Sequence, residues 1–335
     1  MNPSTRNLAL ILGAAFWLGS VQGCDVADAV GSQEASAAAS TGAETQLAVE
    51  DLVRTMEGAE LSTHYRGTRS VLLVDPARGE ELAYLEHIGC DGLGRFAIET
   101  TMADAPADVA EEFEIRQQGQ QGYILRHRDL AIRDAEAFLA CYSVEHAGRE
   151  EVAGFSCVVL RIQRKAGSSL RYSAHIEPAT GLVLRSEMHS GEGQLLSRVE
   201  YQSLELGADL DGLLLDEHRL PRTQIDPSLA ITAFDADLDF SPQLPEPPPG
   251  YRLIESSLVG SPSGEDWLKL TWSDGLESLV LLQTPLVAGE ADAEYIDVTT
   301  IGSANLLQGV LGRSRVMVLS RLEREVLLGW LESSF

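Results

Sequence analysis

The chain has 335 residues, of which 25 are basic and 51 acidic, so its formal net charge is −26 at pH 7. This balance argues against binding to nucleic acid and against direct adhesion to anionic lipid, because both depend on clustered cations. The length suffices for about two domains with sizeable cores.

The first 23 residues have the layout of a secretory signal peptide. One cation, Arg6, precedes an apolar run from Leu8 to Val21, and no acidic residue occurs before Asp25. The apolar run is shorter than the ~20 residues that a membrane-spanning helix needs. We therefore expect residues 1–23 to be removed on export.

The end of this run resembles a lipidation signal. VQGC, Val21 to Cys24, is similar to the bacterial lipobox, whose cysteine becomes the acylated first residue of the mature chain. The resemblance implies an exported, periplasm-facing protein held at a membrane by an acyl anchor on Cys24. A signal peptide cut elsewhere is the alternative. Asp25 resembles a residue that retains lipoproteins in the inner membrane, so that membrane is favoured.

Residues 24–46 are built mainly from Ala, Ser, Gly and acidic residues and predict a flexible tether, because they cannot bury a core. Apolar residues then recur at helical spacing, at Leu47, Val49, Leu52, Val53, Met56 and Ala59. This spacing predicts an amphipathic helix at the start of a first domain, residues 47–211. A strand is predicted from about residue 62 to 74.

Further elements of the first domain are less regular. ELAYLEH, GRFAIET, EEFEIRQ and GYILRH resemble strands, and RDLAIRDAEAFLACY, Arg128 to Tyr142, predicts a helix.

The clearest pattern lies between Gly154 and Leu206. In SLRYSAHIE, apolar and polar residues alternate with period 2, which is typical of a half-buried strand. Similar segments precede and follow it, joined by KAGSS, EPATG and SGEG. Four consecutive strands with short turns predict an antiparallel meander with one packed face.

A second domain follows a proline-rich stretch. SPQLPEPPPG, Ser241 to Gly250, admits neither helix nor strand, so residues 212–250 are interpreted as the linker. Residues 251–335 contain strand-like segments and a final apolar stripe. Ser320 and Glu323 fit a capping box before that stripe and predict a terminal helix.

The cysteines allow one disulfide. If Cys24 is acylated, Cys90, Cys141 and Cys157 remain in an oxidising compartment. Cys141 with Cys157 is the favoured pairing, and the other two pairings and three free thiols stay open.

Motifs for catalysis are lacking. GSPSG places Pro262 where a nucleophile elbow requires serine, and the histidines and cysteines lack metal-ligand spacing. We expect no metal, no cofactor and no enzymatic activity.

The apolar face of the meander is the remaining candidate site, with Leu170, Tyr172, Ile176 and Leu184 as its central residues. One interpretation is ordinary core beneath a helix. The other is a curved sheet whose concave side accepts an acyl chain or an apolar peptide.

Several segments resemble a known family in order and spacing. VAGFSCVVLRIQRK, LRYSAHIEPATGLVLRSEM and VEYQSLEL are similar to the RseB/MucB regulators of the bacterial envelope-stress sigma factor. LVRTMEGAELSTHYRGT resembles the start of those proteins. PPPGYRL, TWSDGLESLVLL and VTTIG resemble their C-terminal domain.

The resemblance implies a mainly β (α+β) fold: an open antiparallel half-barrel of LolA/LppX type with helices, plus a smaller C-terminal α/β domain. It also implies a partner, the periplasmic part of an inner-membrane anti-sigma factor, which the protein binds and shields from proteolysis. The alternative function is a lipid or lipoprotein carrier that uses the half-barrel cavity.

Overall fold

The computed structural model describes residues 42–75, 79–102, 128–217, 244–260, 266–286, 295–301, 303–311 and 313–334. The signal peptide, Cys24, Asp25 and most of the expected tether and linker lie outside these residues, as do EEFEIRQ and GYILRH. The helices are α1 (Gly42–Met56), α2 (Ala59–Ser62), α3 (Ala135–Cys141) and α4 (Arg324–Ser334).

A 9-stranded antiparallel sheet, the large sheet, forms the first unit. Its strands are β1 (His64–Asp75), β2 (Glu80–Asp91), β3 (Arg95–Thr101), β4 (Tyr142–Val152), β5 (Phe155–Arg164), β6 (Arg171–Ile176), β7 (Val183–His189), β8 (Leu195–Leu206) and β9 (Asp216–Glu217). The spatial order is β4-β5-β6-β7-β8-β1-β2-β3-β9, so β4 and β9 stand at opposite edges and the sheet is open. The expected mainly β fold with an open antiparallel sheet is confirmed.

The predicted meander corresponds to β5, β6, β7 and β8. Along β6, Tyr172, Ala174 and Ile176 are buried while Arg171 is exposed, as the period-2 pattern requires. The register shifts between His175 and Ile176, and again at other points of the sheet. Such bulges bend a strand and increase its twist.

Helices α1 and α3 cover one face of the meander. Val49, Val53 and Met56 from α1 are buried in the same cluster as Tyr172 and Ile176, so the predicted amphipathic helix is confirmed. From α3 the same cluster receives Phe138, whose ring stacks on Tyr142 with centroids 4.8 Å apart.

Helix α3 is shorter than the predicted helix from Arg128 to Tyr142. It begins at Ala135, where the Asp134 carboxylate accepts a 2.8 Å hydrogen bond from the Ala137 amide. The preceding residues are irregular because Arg128 and Asp129 form ion pairs with the large sheet. Tyr142 already belongs to β4.

A 6-stranded antiparallel sheet, the small sheet, forms the second unit with order β10-β11-β12-β15-β14-β13. Its strands are β10 (Arg252–Gly260), β11 (Asp266–Ser273), β12 (Ser278–Pro285), β13 (Tyr295–Ile301), β14 (Ala304–Leu311) and β15 (Ser314–Ser320). Leu327, Trp330 and Leu331 of α4 are buried against this sheet.

The terminal helix starts later than the expected capping box. The Ser320 hydroxyl accepts from the Leu322 amide at 3.2 Å, so it closes a turn before the helix. Leu327 then donates to the Glu323 carbonyl at 3.0 Å, which places the helix start at Arg324.

The favoured Cys141–Cys157 disulfide is not formed, and Cys90, Cys141 and Cys157 are free. Tyr142 pairs with Arg164 at one end of the β4–β5 hairpin, whereas Cys157 pairs with Glu150 near the other. At ~3.3 Å per residue this separates the two cysteines by roughly 20–25 Å. A disulfide requires Cα atoms within about 7 Å.

Candidate functional site

The two sheets meet where the turn of the small sheet, residues 273–278, enters the helix-covered face of the large sheet. This segment, which we name the junction turn, connects β11 to β12. Its Leu276 is only 5% exposed and belongs to the same cluster as Tyr172, Ile176 and Phe138. Leu276 of the second unit therefore joins the apolar core of the first.

Gly275 lets the junction turn approach α3 closely. Its φ of +97° is a backbone conformation that favours glycine. A Cβ at this position would overlap the Asp134 carbonyl oxygen and the Phe138 amide nitrogen. In place of that side chain, the Arg133 amide donates a 2.8 Å hydrogen bond to the Gly275 carbonyl.

Asp274 holds the turn to the large sheet. Its Oδ2 accepts from the Tyr142 hydroxyl at 3.0 Å and from Arg164 Nε at 2.9 Å. Its Oδ1 accepts from the amides of Leu276 at 3.2 Å and Glu277 at 2.8 Å, which fixes the turn internally. Burial raises the pKa of Asp274, and the ion pair with Arg164 offsets only part of that rise.

Glu277 makes a second polar anchor. Its Oε1 accepts from the Tyr172 hydroxyl at 2.6 Å and from Arg321 at 2.9 Å. Burial, and then the neighbouring Glu277 carboxylate, raise the pKa of Tyr172 well above its ordinary value, so its hydroxyl stays a donor. Arg133 completes the set by donating to the Leu276 carbonyl at 3.0 Å and to Ser278 Oγ at 2.8 Å.

Residues outside the turn also form contacts between the two units. Arg252 pairs with Asp134 at 3.3 Å, and Arg164 Nη2 donates to the Pro249 carbonyl at 3.3 Å. The Glu323 amide donates to the Gly167 carbonyl at 3.1 Å. The second unit is thus held at its entrance, at its central turn and just before α4.

A buried ion cluster borders the junction. Glu86, which is 0% exposed, accepts from Arg69 at 2.8 Å and from Arg128 at 2.9 Å, and Asp129 lies 2.9 Å from Arg69. Burial alone would raise the pKa of Glu86, but Arg128 and then Arg69 outweigh it and lower that pKa to about 2. The cluster therefore stays ionised at neutral pH.

A small cavity of about 20 Å³ separates this cluster from the second unit. Its lining includes Arg128 and Met188 from the large sheet and Leu276 and Glu277 from the junction turn. This volume has room for about one water molecule. The junction is therefore closed, with the turn filling the space between the units.

The opposite face of the meander is polar and open. Glu145, Arg161, Ser173, Glu187 and Arg198 are neighbours across five adjacent strands. Arg198 lies 2.8 Å from Glu187, and much of this face lines a trough of about 600 Å³. The sheet thus has the packed and hydrated faces that its alternation predicted.

The structure brings together three of the four predicted face residues. Leu170, Tyr172 and Ile176 belong to the core beneath α1 and α3, whereas Leu184 packs in a separate cluster with Tyr65 and Cys157. All four are buried, so none lies on an open concave surface. The interpretation as core beneath a helix is the one that the packing matches.

Asp274 and Glu277 are not among the site residues predicted from the sequence. The available signal was the DG dipeptide of TWSDGLESL, which is typical of a tight hairpin turn.

The described residues lack both a metal site and a membrane-spanning helix. They contain no group of three or more His, Cys, Asp or Glu side chains placed to hold a metal ion. Within the same residues, no helix combines the length and apolarity needed to cross a bilayer.

Comparison with known proteins gives a family match. The model of the MucB/RseB N-terminal domain matches residues 106–227. The match covers 122 of the 335 residues, and over this region the chain resembles the MucB/RseB family. The matched region includes α3 and the whole meander, and therefore the large-sheet side of the junction.

A curated relative is MucB of Pseudomonas aeruginosa, described as a regulatory protein of the sigma factor AlgU. It is 27% identical over 154 residues, which is 46% of this chain and 47% of that protein. The aligned region thus spans about half the length of this relative.

Two solved structures share the fold. A MucA/MucB complex from Pseudomonas aeruginosa has a TM-score of 0.54 at 17% identity, covering 84% of this chain and 96% of the other. A complex of MucB with MucA(peri) has a TM-score of 0.53 at 17% identity with the same coverage. At this identity the likeness establishes the fold.

Proposed function

We propose that this protein is a non-enzymatic envelope-stress regulator that binds the periplasmic part of an anti-sigma factor and shields it from proteolysis. The match to the MucB/RseB N-terminal domain supports this proposal, because the curated MucB relative is a regulatory protein of a sigma factor. The likeness to two complexes of MucB with MucA gives further support. The partner would be an inner-membrane protein with a segment in the periplasm.

The observation that carries the proposal is the extent of the shared fold. The likeness to the complexed MucB covers 84% of this chain, which is more than either unit contains alone. Both units and the junction between them therefore enter the comparison. A groove or interface between two units is a frequent place for a partner to bind.

Anchoring fits this role. A chain acylated at Cys24 and retained through Asp25 would face the periplasm from the inner membrane, beside an anti-sigma factor in the same membrane. A tether of ~22 residues has an r.m.s. reach of roughly 25 Å, enough to let the folded units meet a neighbouring protein.

The test uses the full mature chain on solubilised inner membranes. We expect it to capture a single-span membrane protein and, with purified components, to slow cleavage of that protein's periplasmic part. Protection should follow stoichiometry and saturate at equimolar chain, because a shield acts by occupancy. Binding without protection would contradict the shielding role, and capture of no anti-sigma protein would contradict the function.

The carrier alternative makes a different demand on the same fold. A carrier needs an open chamber for acyl chains, whereas Leu276 and the two helices occupy the apolar face of the meander. The packing of the described residues therefore favours the regulator. Extraction of the purified protein with organic solvent tests the alternative, because stoichiometric lipid would favour carriage.

A further inference from the structure

The junction turn has the character of a bound ligand. It presents one buried aliphatic side chain, Leu276, between two carboxylates, Asp274 and Glu277. In the contacts described above, the turn supplies only acceptors to the large unit. The donors from the large unit are Arg133, Tyr142, Arg164 and Tyr172. Glu277 also accepts from Arg321 of its own unit.

We propose that the pocket filled by this turn is a recognition site for a partner segment of the same chemistry, and that the turn is its internal competitor. The segment recognised is a leucine with a carboxylate two residues before it and another one residue after it. That this segment belongs to the anti-sigma factor rests on the proposed function. The chemistry of the pocket rests on the geometry of the junction.

The pocket is built mostly by the large unit. The apolar walls come from Phe138 of α3 and from Tyr172 and Ile176 of β6. At its mouth, Arg164 and Tyr142 face one carboxylate, and Tyr172 faces the other. If the turn withdraws, the Tyr142 and Tyr172 hydroxyls lose their acceptors and Arg164 loses its carboxylate partner, which is costly for buried polar groups. The open pocket therefore favours an acidic segment over a neutral one.

The contacts favour a peptide over an anionic amphiphile. Two of the hydrogen bonds reach backbone carbonyls, from the Arg133 amide to Gly275 and from the Arg133 guanidinium to Leu276. A fatty acid or lysolipid could supply an alkyl chain and one anionic group, but not two carbonyls at peptide spacing. Gly275 adds a steric reason, because the chain passes α3 where a side chain would overlap backbone.

The internal turn holds the pocket closed by proximity. A tethered segment competes at an effective concentration that is roughly millimolar or higher, so a free peptide of equal affinity scarcely displaces it. A partner with further contacts on the protein could do so. Substitutions that weaken the contacts of the turn with the pocket should therefore raise the affinity of the pocket for the partner segment.

The experiment uses the full mature chain and a labelled peptide of residues 271–279, TWSDGLESL. Binding is measured by fluorescence anisotropy for the wild-type chain and for the double variant Asp274→Ala/Leu276→Ala. We expect at least tenfold tighter binding to the double variant. The single variant Leu276→Ala, which keeps the Asp274 anchor, should show a smaller gain and serves if the double variant does not fold.

Two matched changes test the chemistry. A peptide carrying Leu276→Ala should lose most of its binding, and Arg164→Gln placed in the double variant should lower the affinity for the intact peptide. Equal binding by wild type and variant, or equal binding of the two peptides, would overturn the proposal. Displacement of the peptide label by dodecanoate, with the peptide itself failing to saturate, would also overturn it in favour of a lipid site.

This experiment is independent of the regulator role. Saturable binding of the turn peptide together with failure to capture any anti-sigma protein would leave the pocket established and the proposed function refuted. Capture of the anti-sigma protein, with turn variants that bind the peptide no more tightly than wild type, would support the proposed function and refute the pocket.

Discussion

The Tyr172 hydroxyl donates a 2.6 Å hydrogen bond to Glu277 Oε1, and this bond joins β6 of the large sheet to the junction turn of the small sheet. Tyr172 is 7% exposed and Glu277 is 9% exposed, so water competes weakly for either group. The bond therefore sets the depth at which the junction turn sits. It also makes Tyr172 a contact between the two units.

This bond should show measurable coupling. Tyr172→Phe removes the donor, and Glu277→Gln removes the charge of the acceptor. A hydrogen bond to a charged group contributes about 1.5–3 kcal/mol, so the double-mutant cycle should give a coupling of about 1–3 kcal/mol in the free energy of unfolding. Urea unfolding of the four proteins provides the measurement. Additive effects would show that the bond does not stabilise the junction.

Gly275→Ala should be more damaging than an alanine at another glycine of similar backbone. It places a methyl group against backbone of α3 in addition to the strain of a positive φ, so we expect a loss of at least about 2 kcal/mol. Gly154, with φ +83° and open space around its Cβ position, is the matched control and should lose only about 1 kcal/mol. Thermal unfolding of both variants compares them, and equal losses would argue against close packing at the turn.

The buried ion cluster should account for much of the loss in the free energy of unfolding at acid pH. The pKa of Glu86 is lowered from 4.5 to about 2, so its stabilising contribution is complete above about pH 5 and is lost as the pH falls from about 4.5 through 2. Glu86→Gln leaves Arg69 and Arg128 with one fewer acceptor and should cost about 3–5 kcal/mol at neutral pH.

The control for this change is Asp51→Asn, because Asp51 forms an exposed pair with Arg54 at 3.3 Å. That variant should change stability by no more than about 1 kcal/mol. Urea midpoints between pH 2 and 8 provide the readout. A Glu86→Gln protein with the wild-type pH profile would refute the assignment.

Asp274 has the opposite sign of pH dependence. Its pKa is raised in the folded protein, so folding favours the protonated form, and the contribution of this group is lost as the pH rises through the folded pKa. Mild acid should therefore not open the junction through Asp274. Hydrogen exchange of residues 273–278 at pH 5 and 7, corrected for intrinsic rates, tests this, and greater opening at pH 5 would contradict it.

An engineered disulfide can test whether the junction must open for the partner segment to bind. A Cβ at Gly250 would lie 3.9 Å from the Cβ of Cys141, within the range of a disulfide. Gly250→Cys should therefore cross-link to the native Cys141 on oxidation, at some strain because φ is +88° there. We expect the oxidised protein to bind the partner segment more weakly than the same protein after reduction.

Wild-type protein treated with the same oxidant is the control, because its Cys90 and Cys157 thiols are buried. Free-thiol counting confirms the bond. Equal affinity before and after reduction would mean that the partner binds without opening the junction.

The Cys24 prediction can be tested separately from the fold. Cys24→Ala should move the exported protein from the membrane fraction to the soluble fraction, because the acyl chain is the expected anchor. Fractionation and mass analysis of the N-terminus provide the measurement. Soluble wild-type protein with an unmodified N-terminus beyond Cys24 would contradict lipidation.

The sequence by itself determined the local elements with strong periodicity. The period-2 alternation around Tyr172 correctly indicated the meander, and the helical spacing of Val49, Val53 and Met56 indicated α1. These patterns are readable because each element buries one face, and the spacing of its apolar residues follows from backbone geometry. The family resemblance could be recognised from the sequence because most of its motifs lie in these strands.

The tertiary structure decided what the apolar face contacts. Alternation shows that Tyr172 and Ile176 face inward, but it cannot show that Leu276, about one hundred residues later, completes their core. The start of α3 depended in the same way on distant charges, because Arg128 pairs with Glu86 on β2. Contacts between residues far apart in the chain leave no local period, so only the assembled units reveal them.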